Sequence, residues 1–413
     1  MSEPIFKTTD RCRGCGAEGL RNFLDLGRVP LADALVPESR RGIEEARYPL
    51  TVAFCPSCSL VQIRETVPAT TLFGEEYPYY SSFSPYLVEH SRRNVEAIVD
   101  DRRLGPDHLA VELASNDGYL LQWFQKAGVK VLGIDPAPGP AQAAIEKGIP
   151  TLVEFFDDDM AGRLRSEGVV ADVIIGNNVL AHVPNQNRFV AGIARLLADD
   201  GIAVHEFPYV RDLVDHVEFD TIYHEHACYF SVHAVRDLYG RHGLPLIKVE
   251  HLPIHGGSLR VTFGRGSAPD PSVEEYLSEE RRIGLTDFTY YEAFAGRVKN
   301  VKAELRALLD DLKSEGASIA AYGAAAKGTT LLNYTGVGAN YLEYVVDRNV
   351  HKQNWYMPGV DLPIHDPAVL VTDRPDYTLI LAWNFKDEII AQQQEYVEAG
   401  GRFVIPIPHP AVQ

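Results

Sequence analysis

Two pairs of cysteines, Cys12-Arg13-Gly14-Cys15 and Cys55-Pro56-Ser57-Cys58, constrain this chain more than any other feature. A CxxC spacing turns two thiolates toward one point, and four thiolates close the tetrahedral site of structural zinc. Gly14 and Pro56 stand where such knuckles want turn residues. The pattern predicts a zinc-binding module over residues 1–75, with an inserted loop between the pairs. In it Cys12, Cys15, Cys55 and Cys58 hold Zn2+ as a folding staple and leave no open coordination position for catalysis. The chain has only five cysteines in 413 residues and no basic-then-apolar leader, so a disulfide framework is not expected and a reducing, cytoplasmic setting is. Against 39 Lys and Arg stand 57 Asp and Glu, and the resulting charge of −18 speaks against a nucleic-acid partner. No apolar run approaches the ~20 residues that span a bilayer, so no membrane partner is expected. The length suits two to three domains, each burying a core.

Beyond the cysteines the periodicity becomes that of an α/β fold. Residues 109–114 read as a buried strand, 119–124 as a helix, and 130–135, 171–176 and 201–207 as further strands. Strands near 246–249 and 259–263 look antiparallel, joined through His255-Gly256-Gly257. Alternating strands and helices imply a parallel sheet with its ligand beyond the carboxyl ends of the strands. The proline-rich stretch 136–140 reads as a loop on the ligand side, and 264–271 as a linker. Residues 270–311 read as a connector with one or two helices. Strands at 317–322, 344–347 and 377–381, with the turn Gly323-Ala-Ala-Ala-Lys327-Gly328 opening a helix, predict a second, smaller Rossmann-like unit over 269–413.

The loop after the first strand separates the candidate ligands. Dinucleotide enzymes use GxGxxG to bring backbone against a pyrophosphate. Here the loop is Glu112-Leu-Ala114-Ser-Asn116-Asp117-Gly118, with one glycine and several polar side chains, which suits a ligand carrying an ammonium, a carboxylate and a ribose. The segment resembles the first motif of class I S-adenosylmethionine (SAM) methyltransferases, so residues 76–268 are expected to form the SAM-binding domain. The resemblance implies Glu112, Ala114, Asn116 and Asp117 at the cofactor, Asp135 on the ribose hydroxyls, Phe156 (with Phe155 and Asp157) by the adenine, and Asn177 and Asn178 beside the methionyl part.

The densest polar cluster is Tyr223-His224-Glu225-His226-Ala-Cys228-Tyr229-Phe230, after the fourth strand. It fails the HExxH zinc pattern because Cys228 stands in place of the second histidine. His224 and His226 could share a strand face as metal ligands, but no third ligand is evident. Proton transfer suits the segment better, since histidine titrates near neutrality. Glu225 in an extended segment would point away from His226 unless a turn intervenes. His182 also falls at a strand's carboxyl end, and the run Glu76-Tyr77-Pro-Tyr79-Tyr80-Ser-Ser82 could fold over the cleft as a lid.

Together the zinc pairs, the SAM-type loop, EYPYYSS and YHEHACYF resemble the bacterial deoxysugar C-methyltransferases of antibiotic biosynthesis, most nearly those acting at C-3' of thymidine-diphosphate-linked (TDP-linked) 4-keto sugars. The resemblance spans essentially the whole chain. It implies His226 as the base that forms an enolate, with Tyr223, Glu225, His182 and Tyr77 orienting the sugar or stabilising the enolate oxygen, and Tyr79 and Tyr80 contacting substrate. Lys327 would help the third domain hold the nucleotide tail, although that turn lacks the full GxxxxGK[ST] spacing. Two other readings stay open from sequence: an NAD-dependent nucleotide-sugar oxidoreductase or epimerase, disfavoured by the missing GxGxxG, and a zinc-containing RNA methyltransferase, disfavoured by the acidic charge.

Overall fold

A computed structural model describes residues 5–72, 80–254 and 256–413. Tyr77 and Tyr79, most of the expected lid, and His255 therefore lie outside the described residues. The central sheet has seven strands in the order Leu246–Leu252, Ser258–Gly264, Leu197–Pro208, Ala171–Asn177, Leu109–Leu113, Lys130–Ile134, Thr151–Leu152. Ser258–Gly264 pairs antiparallel with both of its neighbours, and the remaining pairs are parallel. The expected hairpin is present. The strand order reverses between Leu109–Leu113 and Ala171–Asn177, which opens a crevice at their carboxyl ends. The stretch expected as a loop at 136–140 instead opens the helix Pro138–Glu146, because proline at its first positions presets φ and needs no N–H there.

Residues 269–413 begin with two helices, Pro271–Ile283 and Phe288–Ser314. A second sheet follows, whose parallel part runs Arg402–Ile405, Tyr377–Ile380, Ile319–Tyr322, Val345–Val346, Leu362–His365. Its order also reverses at the first strand. Gly323, directly after that strand, has φ 100°, and a Cβ there would lie 2.9 Å from Ala382 Cβ. Only glycine permits so close a crossing of two loops.

The N-terminal module is a sheet of Arg21–Val29, Tyr48–Phe54 and Val61–Ile63, closed by a fourth strand, Cys228–Tyr229, from far along the chain. The insertion between the cysteine pairs also sends Val36–Pro37 to the edge of the second sheet. Phe23 and Phe54 pack against Tyr291 of the long helix with ring centroids 5.3 and 4.9 Å apart. One buried apolar cluster consequently runs from Cys12 and Phe54 through Val111 and Phe207 to Tyr291, Ile319 and Val404. Large rings dominate that burial, each removing ~150–250 Å2 from water. The three regions share a core and meet around residues 220–230. No helix among the described residues is long and apolar enough to cross a membrane.

Candidate active site

The four predicted thiols converge. Their sulfurs lie within 4.8 Å of one another, with Cys12 to Cys58 and Cys15 to Cys55 both at 3.5 Å. A tetrahedron with Zn–S bonds of ~2.3 Å has sulfurs roughly 3.8 Å apart, so the donor set fits zinc, whereas a disulfide needs ~2.0 Å. The two knuckles share a backbone pattern, Gly16 N–H to Cys12 O and Ser59 N–H to Cys55 O, each at 2.9 Å. Gly16 and Ser59 both have positive φ.

The cofactor loop turns through left-handed backbone at three positions, of which only one is glycine. Ala114, Asn116 and Gly118 take φ of 56°, 49° and 76°. The left-handed region costs a non-glycine residue roughly 1–2 kcal/mol, less for asparagine. At Gly118 the left-handed φ of 76° favours glycine, and a Cβ there would also press on Ile149 Cδ1 at 2.4 Å, so that side chain would have to shift. Asp135 shapes this loop by accepting Asn116 N–H and Ala137 N–H, each at 2.8 Å. Asn178 is left-handed too, and its N–H is anchored on Glu206 O at 2.7 Å. The Glu206 carboxylate is gripped by His90 at 2.8 Å and Arg260 at 2.7 Å. Burial alone would raise its pKa, but these two partners hold it below the usual carboxylate range.

Around the crevice stand unmatched polar atoms. Both oxygens of Glu112, both amide atoms of Asn177 and one oxygen of Asp117 are buried without a hydrogen-bond partner among the described residues. Burial, with the Asp135 and Asp117 carboxyls nearby, pushes Glu112 well above the usual range. A cationic ligand with an ammonium group answers both needs, so these residues fit the amino-acid end of SAM. Asp117 also pairs with Lys147 at 3.0 Å. Phe156 turns inward, its ring edge-on to Phe189 with centroids 5.6 Å apart, while Phe155 is 49% exposed. Phe156 packs partly against the core, while Phe155 is more open to solvent. Tyr80 stacks on Phe83, and its hydroxyl would sit 3.0 Å from a Cβ on Gly139. That position is on the cofactor side of the sheet. Ser81 N–H donates to Asn116 Oδ1 at 2.8 Å, tying the end of the tyrosine run to the cofactor loop.

Residues 223–226 form a turn, with His226 N–H on Tyr223 O at 3.0 Å, in place of an extended segment. Each histidine here donates one ring N–H to a carbonyl, which can only accept. His226 Nδ1 meets Thr221 O at 2.9 Å, His182 Nδ1 meets Glu225 O at 2.8 Å, and His224 Nε2 meets Pro49 O at 2.9 Å. His226 thereby keeps its lone pair on Nε2, which accepts Tyr223 Oη at 3.2 Å. His182 and His226 rings lie 4.8 Å apart. Burial lowers the pKa of His182 and of His224. Burial raises Glu225 to about 8, with Asp33 of the N-terminal module adding to the effect, and Glu225 Oε2 has no partner among the described residues. Sequence reasoning missed Asp33, since nothing in its local pattern marks it.

Lys327 is half-buried where the second sheet meets the 218–222 segment. It donates to Asn384 Oδ1 at 2.8 Å and lies 4.5 Å over the Trp383 ring, whose indole N–H donates to Asp220 at 2.7 Å. The Asp220 and Glu218 carboxyls already face its charge. Any diphosphate there would share the ammonium with two acids. Nearby, Asp347 repeats the part of Asp135, since it ends the second strand and accepts Ala324 N–H at 2.7 Å and Asn349 N–H at 2.8 Å. The sequence carried this signal in both "GID" and "VVD". A cavity of about 770 Å3 is lined by Arg28, Arg41, Arg47, Tyr356 and Asp361 among others and includes none of the predicted site residues.

A seven-stranded sheet with this order, an acid closing the second strand and a cation-seeking crevice at its reversal define a methyltransferase of the SAM-dependent class. A methyltransferase-domain profile matches residues 89–249, a zinc-binding-domain profile 12–73, and a C-methyltransferase C-terminal-domain profile 253–408. C-methyltransferase NovU of Streptomyces niveus is 35% identical over 99% of this chain and 98% of its own. The chain belongs to that C-methyltransferase family. Among solved structures, magnesium protoporphyrin IX methyltransferase of Synechocystis PCC 6803 covers 48% of this chain and 89% of its own at 17% identity, TM-score 0.33. The PH0226 protein of Pyrococcus horikoshii OT3 covers 45% and 94% at 12% identity, TM-score 0.36. With scores that low, membership of the family rests on the full-length relative and the profiles.

Proposed function

We propose that the chain methylates C-3' of a TDP-linked 4-keto deoxysugar, with His226 as the base. Carbon attacks a methyl group only when a neighbouring carbonyl can take the charge left by proton loss. In a 4-keto sugar the C-3' hydrogen stands beside such a carbonyl. The observation that carries the reading is the fixed tautomer of His226: Thr221 O holds the hydrogen on Nδ1, so Nε2 is the basic atom. In the reaction Nε2 takes the C-3' proton and releases the Tyr223 hydroxyl, which then donates to the enolate oxygen. Glu225, kept protonated up to about pH 8, is a second donor for that oxygen. His182, held neutral, lines the same turn.

SAM, when bound, supplies an electron-poor methyl group on sulfur. Glu112 and Asn177 would hold its amino-acid end and Asp135 its ribose. The crevice of the second sheet, with Asp347, Trp383 and Lys327 at its mouth, would take the nucleotide tail. The C-methyltransferase relative supports carbon as the acceptor atom. Incubation of candidate TDP-4-keto sugars with enzyme and SAM, followed by mass spectrometry and NMR of the product, tests the reading. A branched carbon at C-3' is expected. A methyl at C-5' would keep the enolate chemistry and move its carbon, whereas a methyl on oxygen or nitrogen would contradict it.

A further inference from the structure

Arg13 stands inside the first zinc knuckle, yet its polar contacts lead to the histidine turn. Its N–H donates to Gln62 Oε1 at 2.8 Å, and Gln62 is the register partner of Cys228. Its guanidinium donates to the carbonyls of Ile63 at 3.3 Å, Glu65 at 2.8 Å and Pro184 at 3.3 Å, and to Thr66 Oγ1 at 2.8 Å. The carbonyls of Arg13 and Gly14 both accept from Asn187 Nδ2 at 2.9 Å. Ile63 N–H in turn donates to Ala227 O at 3.1 Å, and Ala227 N–H to Ala181 O at 2.7 Å. One planar group therefore grips both Ile63, at the end of the strand that pairs with Cys228–Tyr229 and bonds Ala227, and Pro184, two residues after His182. Four thiolates and one Zn2+ sum to −2, so a loaded knuckle also sets a counter-charge beside this cation.

We infer that Arg13 is a positioning residue, clamping the zinc knuckle to the His182–Pro184 loop and to the strand behind His226, so that the order of the zinc module sets the geometry of the reacting turn. The inference rests on the reading of His226 as base only for its catalytic consequence. Misplacing a base by ~1 Å can cost on the order of 100-fold in rate. Lysine restores the charge but not the fork.

The test compares Arg13→Ala and Arg13→Lys with wild type in four measurements: zinc per chain, SAM affinity by calorimetry, kcat, and hydrogen exchange of peptides covering 59–66 and 221–230. Both variants should keep one zinc and a SAM Kd within about twofold, exchange at least about tenfold faster in those two segments, and lose roughly 10- to 100-fold in kcat. Lysine should recover only a small part of that loss. Unchanged exchange in both segments would overturn the inference, as would faster exchange spread over the whole chain with loss of zinc. Should Arg13→Ala fail to fold, Asn187→Ala cuts the same dock from the other side and should loosen the same two segments; rigid segments there would also overturn it. Faster local exchange with unchanged kcat upholds the clamp and counts instead against His226 as the base.

Discussion

Replacing Glu225 with glutamine keeps the shape of the side chain and removes its titration. Burial and Asp33 lift this carboxyl from 4.5 to about 8. Because the folded value is raised, the folded chain holds a proton that the unfolded chain has released. The stabilisation this gives is full below about pH 4.5 and is lost as pH rises through about 8. At ~1.4 kcal/mol per unit the shift sets a ceiling of about 5 kcal/mol on the loss, and a share of it belongs to Asp33. Glu218, also raised to about 8, and Asp220, raised to about 6, move stability the same way in both proteins and cancel in the comparison. Between pH 6 and pH 9 only about two units of that shift are crossed, so denaturant titrations of wild type and Glu225→Gln at those two pH values should diverge, the variant losing less by about 1–3 kcal/mol. The rate should follow. Wild-type kcat should fall about tenfold per unit above pH 8 as Glu225 ceases to donate, while the variant stays level. Equal losses of stability and rate in the two proteins would refute a protonated Glu225.

Glu112→Gln should raise the melting temperature of the ligand-free chain, since it relieves a buried acid crowded by Asp135 and Asp117, and should weaken SAM by about 10- to 100-fold on loss of a charged partner worth ~1.5–3 kcal/mol; calorimetry and thermal melting check both signs. Ala114→Val places a β-branched residue at φ 56° and should destabilise by about 1–3 kcal/mol, whereas Ala114→Gly should change stability by less than about 1 kcal/mol in denaturant unfolding. Lys327→Ala should raise the substrate KM with SAM affinity unchanged, and an unaltered KM would remove Lys327 from the substrate's path.

The parts of the architecture that sequence reveals are those written in local periodicity and fixed spacing. The cysteine pairs, the central strands and the acid at 135 all leave such marks. The junction does not. Cys228–Tyr229 is a two-residue strand that joins a sheet built from residues 21–63, and two residues carry no readable period. Asp33 faces Glu225 across nearly 200 residues of chain for the same reason. At the 223–226 turn the backbone bond is local, but the carbonyl that fixes the His224 ring, Pro49 O, lies far back in the chain and leaves no mark in the segment's own pattern. The packing of Phe156 against Phe189 likewise leaves no mark in any adjacent pattern. At Ala114 and Asn116 the sequence offers no glycine, yet both residues take left-handed backbone, which nothing in their local pattern discloses.

Proton removal by His226 can be watched without methyl transfer. A TDP-4-keto sugar incubated with enzyme in deuterated water, with S-adenosylhomocysteine in place of SAM, should take up one deuterium at C-3'. His226→Asn should slow that uptake by about 100-fold or more while binding S-adenosylhomocysteine as wild type does. Uptake at the wild-type rate in the variant would contradict the assignment of the base.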